Sequence, residues 1–223
     1  MERALAVVLR MPSVSLTVAG RTDAGVHATG QVASYPGQPA PLEGLNALLP
    51  PDVAVLACGR ASDGFDARRD ATSRAYCYRV LSRRARSAMQ RARALHWPYS
   101  LEREALTSCA GALVGTHDFT AFTPTETEHV RFEREVYAAY WIRESADILE
   151  FWIEADAFMR HMNRVLVGTM LEVAGGKRTP QSFQALLTGQ PRAAAGPTAP
   201  AHGLYLAGVG YGGERVLRAQ DDH

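Results

Sequence analysis

Between Ala19 and His27 the chain reads Ala-Gly-Arg-Thr-Asp-Ala-Gly-Val-His, placing an arginine, an aspartate and a histidine in one glycine-punctuated segment. Glycines permit tight backbone geometry, and functional side chains concentrate on such loops at strand ends. A carboxylate there can act as nucleophile or general base, provided a cation keeps it ionised in a desolvated pocket. Arg21 is one available neighbour for Asp23. Asp and Gly are also plain turn formers, so the segment alone suits an ordinary turn equally. Arg160 and Arg164 lie one helical turn apart, on a face away from the apolar stripe of their segment, and read either as a partner for an anion or as a solvated basic face. His27, His117, His129 and His161 show no HExxH or equivalent spacing, so no metal is expected, and each reads as a hydrogen-bonding structural residue or a nucleic-acid contact.

The elements that must position these residues follow from hydrophobic period and punctuation. Residues 1–9 (MERALAVVL) read as the second half of an amphipathic helix without a cap. Val14 to Ala19 and Gln31 to Tyr35 form strand signals on either side of the 20–27 loop, and after the Pro/Gly stretch 36–41 a short helix is expected at 42–49 and a strand at 53–61. From Thr72 to Ser82 the alternation places Tyr76, Tyr78 and Val80 on one face and Cys77 with Arg79 on the other, a half-exposed strand. A basic excursion, 83–93, precedes a helix at 101–114, strands at 136–142 and 148–155 joined by a polar turn, and a long helix at 157–174 ended by Gly175-Gly176. That helix carries the stripe Phe158, Met162, Val165, Thr169, Val173. A proline-started helix at 180–187, a last strand at 204–209 and a frayed polar tail at 212–223 complete the reading. The order of elements predicts an α+β protein with antiparallel sheets and helices packed on one side.

Composition narrows the class. With 47% hydrophobic and 21% charged residues in 223, the chain is in the globular range. A net charge of +1 says nothing of a polyanionic partner, but its distribution does. Between Arg60 and Arg93 ten arginines face three aspartates, an electrostatic footprint for a polyanion unless it is merely a solvated face in an arginine-rich chain whose only lysine is Lys177. Three scattered cysteines suit a reduced compartment, and the lack of a leader pattern or of an apolar run of about 18 residues points to the cytoplasm.

Five segments in order carry a family resemblance. GRTDAGVHATGQV (20–32) resembles the signature of the TruA-type tRNA pseudouridine synthases; ARRDATSRAYCYRV (67–80), GTHDFTAF (115–122), DAFMRHMNRVLVGTMLEVAGGKR (156–178) and AHGLYLAGVGY (201–211) resemble further stretches of the same family. The resemblance implies two ferredoxin-like (RRM-like) halves, 1–85 and 86–211, sharing an antiparallel sheet with helices on one face and the active cleft between the halves, followed by a flexible tail at 212–223.

It implies uridine isomerisation in the anticodon stem-loop of tRNA without a cofactor, by a cytoplasmic homodimer. Asp23 would be the catalytic carboxylate, acting on an electron-poor sugar carbon much as glycosidase carboxylates do. Tyr76 would pack against the target base, Arg21 would occupy the space and phosphates left by the extruded nucleotide, Arg164 would approach Asp23, and Leu204 would line the pocket under the uracil. Phosphate contacts would come from Arg68, Arg69, Arg74, Arg79, Arg83, Arg84 and Arg160. The relatives begin with a strand and a Tyr-Asp-Gly…Gly-Trp-Gln segment before the helix that here opens at Met1. Either the start lies upstream, or the chain is an N-terminally truncated, non-catalytic tRNA-binding homologue.

Overall fold

The computed structural model describes residues 1–126 and 130–217, so His129 and residues 218–223 of the tail lie outside the described residues. The chain divides into two compact units, Met1–Arg21 with Gln31–Ala71, and Thr22–Gly30 with Thr72 onward.

In the first unit, α1 (Glu2–Val8) and α2 (Leu42–Leu48) enclose a small core of Ala4, Leu5, Val14, Ala40 and Leu45. Two short strands, β1 (Thr17–Val18) and β3 (Ala33–Ser34), pair antiparallel on either side of the departing loop. The strand expected at 53–61 does not form. In its place the Asn46 amide accepts from the Val55 N–H at 2.8 Å and donates to the Val55 carbonyl at 2.9 Å. One side chain thus satisfies the backbone groups that a neighbouring strand would have paired, and Val53 and Leu56 remain exposed, so no sheet face is built there.

In the second unit, β2 (His27–Ala28), β4 (Ala71–Ser82), β5 (Leu95–Trp97), β6 (Gly115–Asp118), β7 (Glu133–Arg143), β8 (Ile148–Ala155) and β9 (Leu204–Tyr211) form one sheet. Its order is β2-β9-β4-β8-β7-β6, with β5 also beside β4. The pairs β2–β9 and β4–β5 are parallel, so the sheet is mixed and not antiparallel throughout. The sequence reading contains neither β2, β5 nor β6 as strands: each is four residues or fewer, too short for alternation to show, and each is held by a longer neighbour.

The central register sets Tyr76 opposite Ile153, Tyr78 opposite Phe151 and Val80 opposite Leu149. That apolar face joins one core with α3 (Arg103–Gly111), α4 (Met162–Ala174) and α5 (Pro180–Ala185). Each fully buried Phe or Leu there contributes about 1.5–3 kcal/mol. On the opposite face Cys77 is buried too, so β4 is less exposed than its alternation predicts. Arg79 donates from Nε to Glu150 at 3.0 Å, and Trp152 donates to the other Glu150 oxygen at 3.0 Å.

The long helix begins at Met162, five residues later than the expected 157. His161 adopts φ +62°, a left-handed conformation that a continuous helix cannot contain. From Val165 to Leu171 every residue of α4 is buried, so the amphipathic stripe underestimates how enclosed the helix is. Gly168 is where the helix meets a neighbouring loop: a Cβ there would lie 1.9 Å from the Pro197 carbonyl oxygen.

Of the C-terminal segment, Gly213 donates to Thr72 Oγ1 at 3.3 Å, and the N–H groups of Val216 and Leu217 donate to the two oxygens of buried Glu154 at 2.9 and 2.7 Å.

Candidate active site

The loop carrying Asp23 is tied at its base and turned at its tip. At the base, Ala19 donates to the Val32 carbonyl at 2.8 Å, and the Gln31 amide donates to the Gly20 carbonyl at 2.7 Å. At the tip, the Val26 N–H donates to the Asp23 carbonyl at 3.0 Å, closing a turn whose third residue, Gly25, has φ +83°. Glycine takes that conformation without the Cβ penalty. The chain then enters β2, where the His27 ring stacks on Tyr205 with centroids 4.6 Å apart and its Nε2 contacts the Ala92 carbonyl at 2.8 Å. His27 is therefore a fastening of the loop to the sheet.

Opposite the loop stands the start of α4. Arg164, in the first helical turn, donates from Nη1 to Asp23 Oδ2 at 3.0 Å and from Nε to the Ala199 carbonyl at 2.7 Å. His161 Nε2 lies 3.2 Å from the same Asp23 oxygen. The side chains of Arg164, His161 and Asp23 are 16%, 25% and 35% exposed, so the pair is shielded yet open on one side. Burial pushes the His161 imidazole below its usual value; Asp23 pulls it up, while Arg164, Arg160 and Arg192 push it down. The lowered value favours the uncharged ring beside the carboxylate at neutral pH. The left-handed turn also places Arg160 ahead of the helix and exposed, so Arg160 and Arg164 do not share a helical face as their spacing predicts.

Tyr76 lies on β4 with its ring edge-on to Phe158, centroids 4.9 Å apart. Burial pushes its phenol up to about 12, Arg74 opposing the rise and the nearby Asp23 charge adding to it. The hydroxyl is thus a proton donor at neutral pH, within electrostatic reach of Asp23. Leu204 is buried in the same core at the head of β9, one residue before Tyr205, which is in register with His27.

The remaining sequence-derived residues have other partners or are exposed. Arg21, two residues before Asp23, is exposed. Arg69 pairs with Asp70 at 2.9 Å, Arg79 with Glu150 at 3.0 Å, and Arg83 with Asp147 at 2.7 Å. Arg74 donates to the Asp156 carbonyl at 3.2 Å, while Arg68 and Arg84 are exposed. Sequence reading did not place His161 or Phe158 at the site. Phe158 reads as one more member of an apolar stripe, and the spacing of His161 to Arg164 is the sole local hint of its position.

Chemically, the arrangement is a carboxylate with one oxygen fixed by a guanidinium and an imidazole, near a protonated phenol. It can attack an electron-poor carbon or remove a proton. Among the described residues no group of three or more His, Cys, Asp or Glu side chains could hold a metal ion.

Comparison with known proteins agrees with the motifs. Residues 109–212 match the family model described as tRNA pseudouridine synthase. A protein of Bacillus pumilus named tRNA pseudouridine synthase A is 40% identical over 203 residues, covering 89% of this chain and 82% of its own. Proteins of the same name from Myxococcus xanthus and Bacillus subtilis are 42% and 41% identical, covering 89% and 95% of this chain and 77% and 87% of theirs. With identity at that level sustained over most of both partners, the chain belongs to the tRNA pseudouridine synthase A family.

Proposed function

We propose that this chain isomerises uridine to pseudouridine in the anticodon stem-loop of tRNA, with Asp23 as the catalytic carboxylate. The observation that carries this reading is the Arg164–Asp23 contact at 3.0 Å, a carboxylate held by a half-buried guanidinium. The reaction breaks the bond from ribose C1′ to uracil N1, turns the base and rejoins C1′ to C5. The C5 proton leaves, N1 gains one, and the product is an isomer of the substrate. Asp23 can serve by attacking the sugar carbon, attacking the base, or taking a proton from the sugar.

The target base must leave the stack to reach a carboxylate in a shielded site. Tyr76 packs against it, Leu204 lines the pocket under the ring, and Arg21 fills the space and meets the phosphates it leaves. Affinity comes from arginines meeting phosphates: Arg68, Arg69, Arg74, Arg79, Arg83, Arg84 and Arg160. The enzyme acts without a cofactor, as a homodimer, in the cytoplasm. Among the described residues no helix is long and apolar enough to cross a membrane.

The same reading groups residues 1–85 and 86–211 as two ferredoxin-like halves, with 212–223 as a tail. The alternation of strands with α3, α4 and α5 between β5 and β9 is the feature that supports it. A non-catalytic tRNA-binding homologue is disfavoured by retention of the Asp23–Arg164 pair at hydrogen-bond distance.

Because pseudouridine has the mass of uridine, the test is chemical labelling of pseudouridine in tRNA treated with the enzyme. Asp23→Asn and Asp23→Ala should form no product while still binding tRNA. Turnover by either variant removes Asp23 from the mechanism, and a wild type that binds tRNA without product removes the activity.

A further inference from the structure

His161 combines two properties that local structure does not require. It has φ +62° and ψ −3°, a conformation that glycine adopts at less cost, and its imidazole meets the Asp23 carboxylate at 3.2 Å. Apart from His161, Arg10 is the only non-glycine residue with positive φ among the described residues. Were the turn before α4 the whole purpose of position 161, glycine would serve better.

Arg164 Nη1 and His161 Nε2 both address Oδ2 of Asp23, at 3.0 and 3.2 Å. Among the described residues the recorded hydrogen bond and ion pairs of Asp23 all fall on Oδ2. We propose that His161 is a positioning residue that, packed with Arg164 against Oδ2, holds the carboxylate so that Oδ1 is the reactive oxygen of Asp23, an inference that rests on the pseudouridine synthase reading above.

Two polar contacts on one oxygen restrict the carboxylate plane more than one does, because a single contact still allows the group to rotate about its χ2 axis. The Arg164 guanidinium is itself fixed by the Ala199 carbonyl, so the clamp is anchored on the helix side. The charged groups facing the imidazole are Asp23, Arg164, Arg160 and Arg192. Three of the four are cations, which favours a neutral ring that adds no charge to the site.

The test compares His161→Gly, which keeps the left-handed turn and removes the imidazole, with His161→Gln, whose amide Nε2 can take the place of the imidazole Nε2. On a tRNA substrate, His161→Gly should lose about 10- to 100-fold in kcat, the scale of a misaligned reacting group, with KM changed less than twofold. Its melting temperature should equal or exceed that of the wild type. His161→Gln should recover part of the lost kcat.

The proposal is overturned if His161→Gly turns over at the wild-type rate, or if its defect lies in KM, which would make His161 an RNA contact. It is also overturned if kcat falls together with melting temperature and glutamine restores neither, which would make the residue structural. Failure of the broader reading is told apart by the wild type: if that forms no pseudouridine, both fall, whereas an active wild type beside an equally active His161→Gly sinks this inference alone.

Discussion

Arg164 and Ala199 are joined twice: the Ala199 N–H donates to the Arg164 carbonyl at 3.0 Å, and the Arg164 Nε–H donates back to the Ala199 carbonyl at 2.7 Å. The loop before β9 thereby holds the guanidinium that meets Asp23. The loop can lie that close because Gly168, one turn further along α4, has no side chain to strike the Pro197 carbonyl.

Gly168→Ala should therefore act at a distance. The added methyl cannot fit without moving backbone, at a cost of about 1–3 kcal/mol for overpacking. Pushing the loop off the helix also pulls Ala199 from Arg164, so kcat should fall together with stability. Urea unfolding and a turnover assay on the same preparation check both; unchanged kcat would show that the loop does not position Arg164.

Arg164→Lys keeps the charge and loses the fork. A guanidinium reaches Ala199 and Asp23 at once through different nitrogens, whereas an ammonium on a flexible stem reaches one of them. A hydrogen bond to a charged group is worth about 1.5–3 kcal/mol, so kcat should drop by about 10- to 100-fold. Wild-type kcat in the lysine variant would mean that charge alone suffices.

Alkali should destabilise the second unit earlier than its net charge suggests. Burial raises the pKa of Cys77 and Tyr78, and pushes Tyr76 up to about 12 and Cys109 up to about 11. The unfolded thiols and phenols release protons from about pH 8.5 and 10, while the folded ones still hold theirs. Unfolding then releases protons, so the stability these groups contribute is complete below about pH 8.5 and is lost as pH rises. Melting temperature should be level from pH 7 to 8.5 and fall beyond; a level profile to pH 10.5 would contradict the burial of these groups.

Asn163→Leu should stabilise the protein. Asn163 is 5% exposed, and its Oδ1 is buried without a hydrogen-bond partner among the described residues. An unsatisfied buried acceptor costs about 1–3 kcal/mol, and leucine has nearly the same shape. A gain of about 2–4 °C in melting temperature per kcal/mol is expected for a chain of this size. A lower melting temperature would reveal that the amide has a partner of its own, such as water or RNA.

Local pattern made much of the secondary structure legible. The alternation and turn around β8 give its limits, Ile148–Ala155, as the structure has them, and Pro180 with the Thr179–Ser182 capping box marks the start of α5. These features are encoded within a few residues, by side-chain period and by caps. The 53–61 segment has the same apolar content but no strand, because Asn46 takes the place of a partner, and no local pattern reports a partner.

By itself the sequence determined the family, through the ordered motifs from Gly20 to Tyr211, and named Asp23, Tyr76 and Arg164 as candidates for its site. Only the tertiary structure decided which atoms meet. Asp23 and Arg164 are 141 positions apart, and their contact depends on the parallel pairing of β2 with β9, on the left-handed turn at His161 and on the loop admitted by Gly168. Each of these is a long-range packing outcome, whose free energy is shared among residues that no window of the chain contains together.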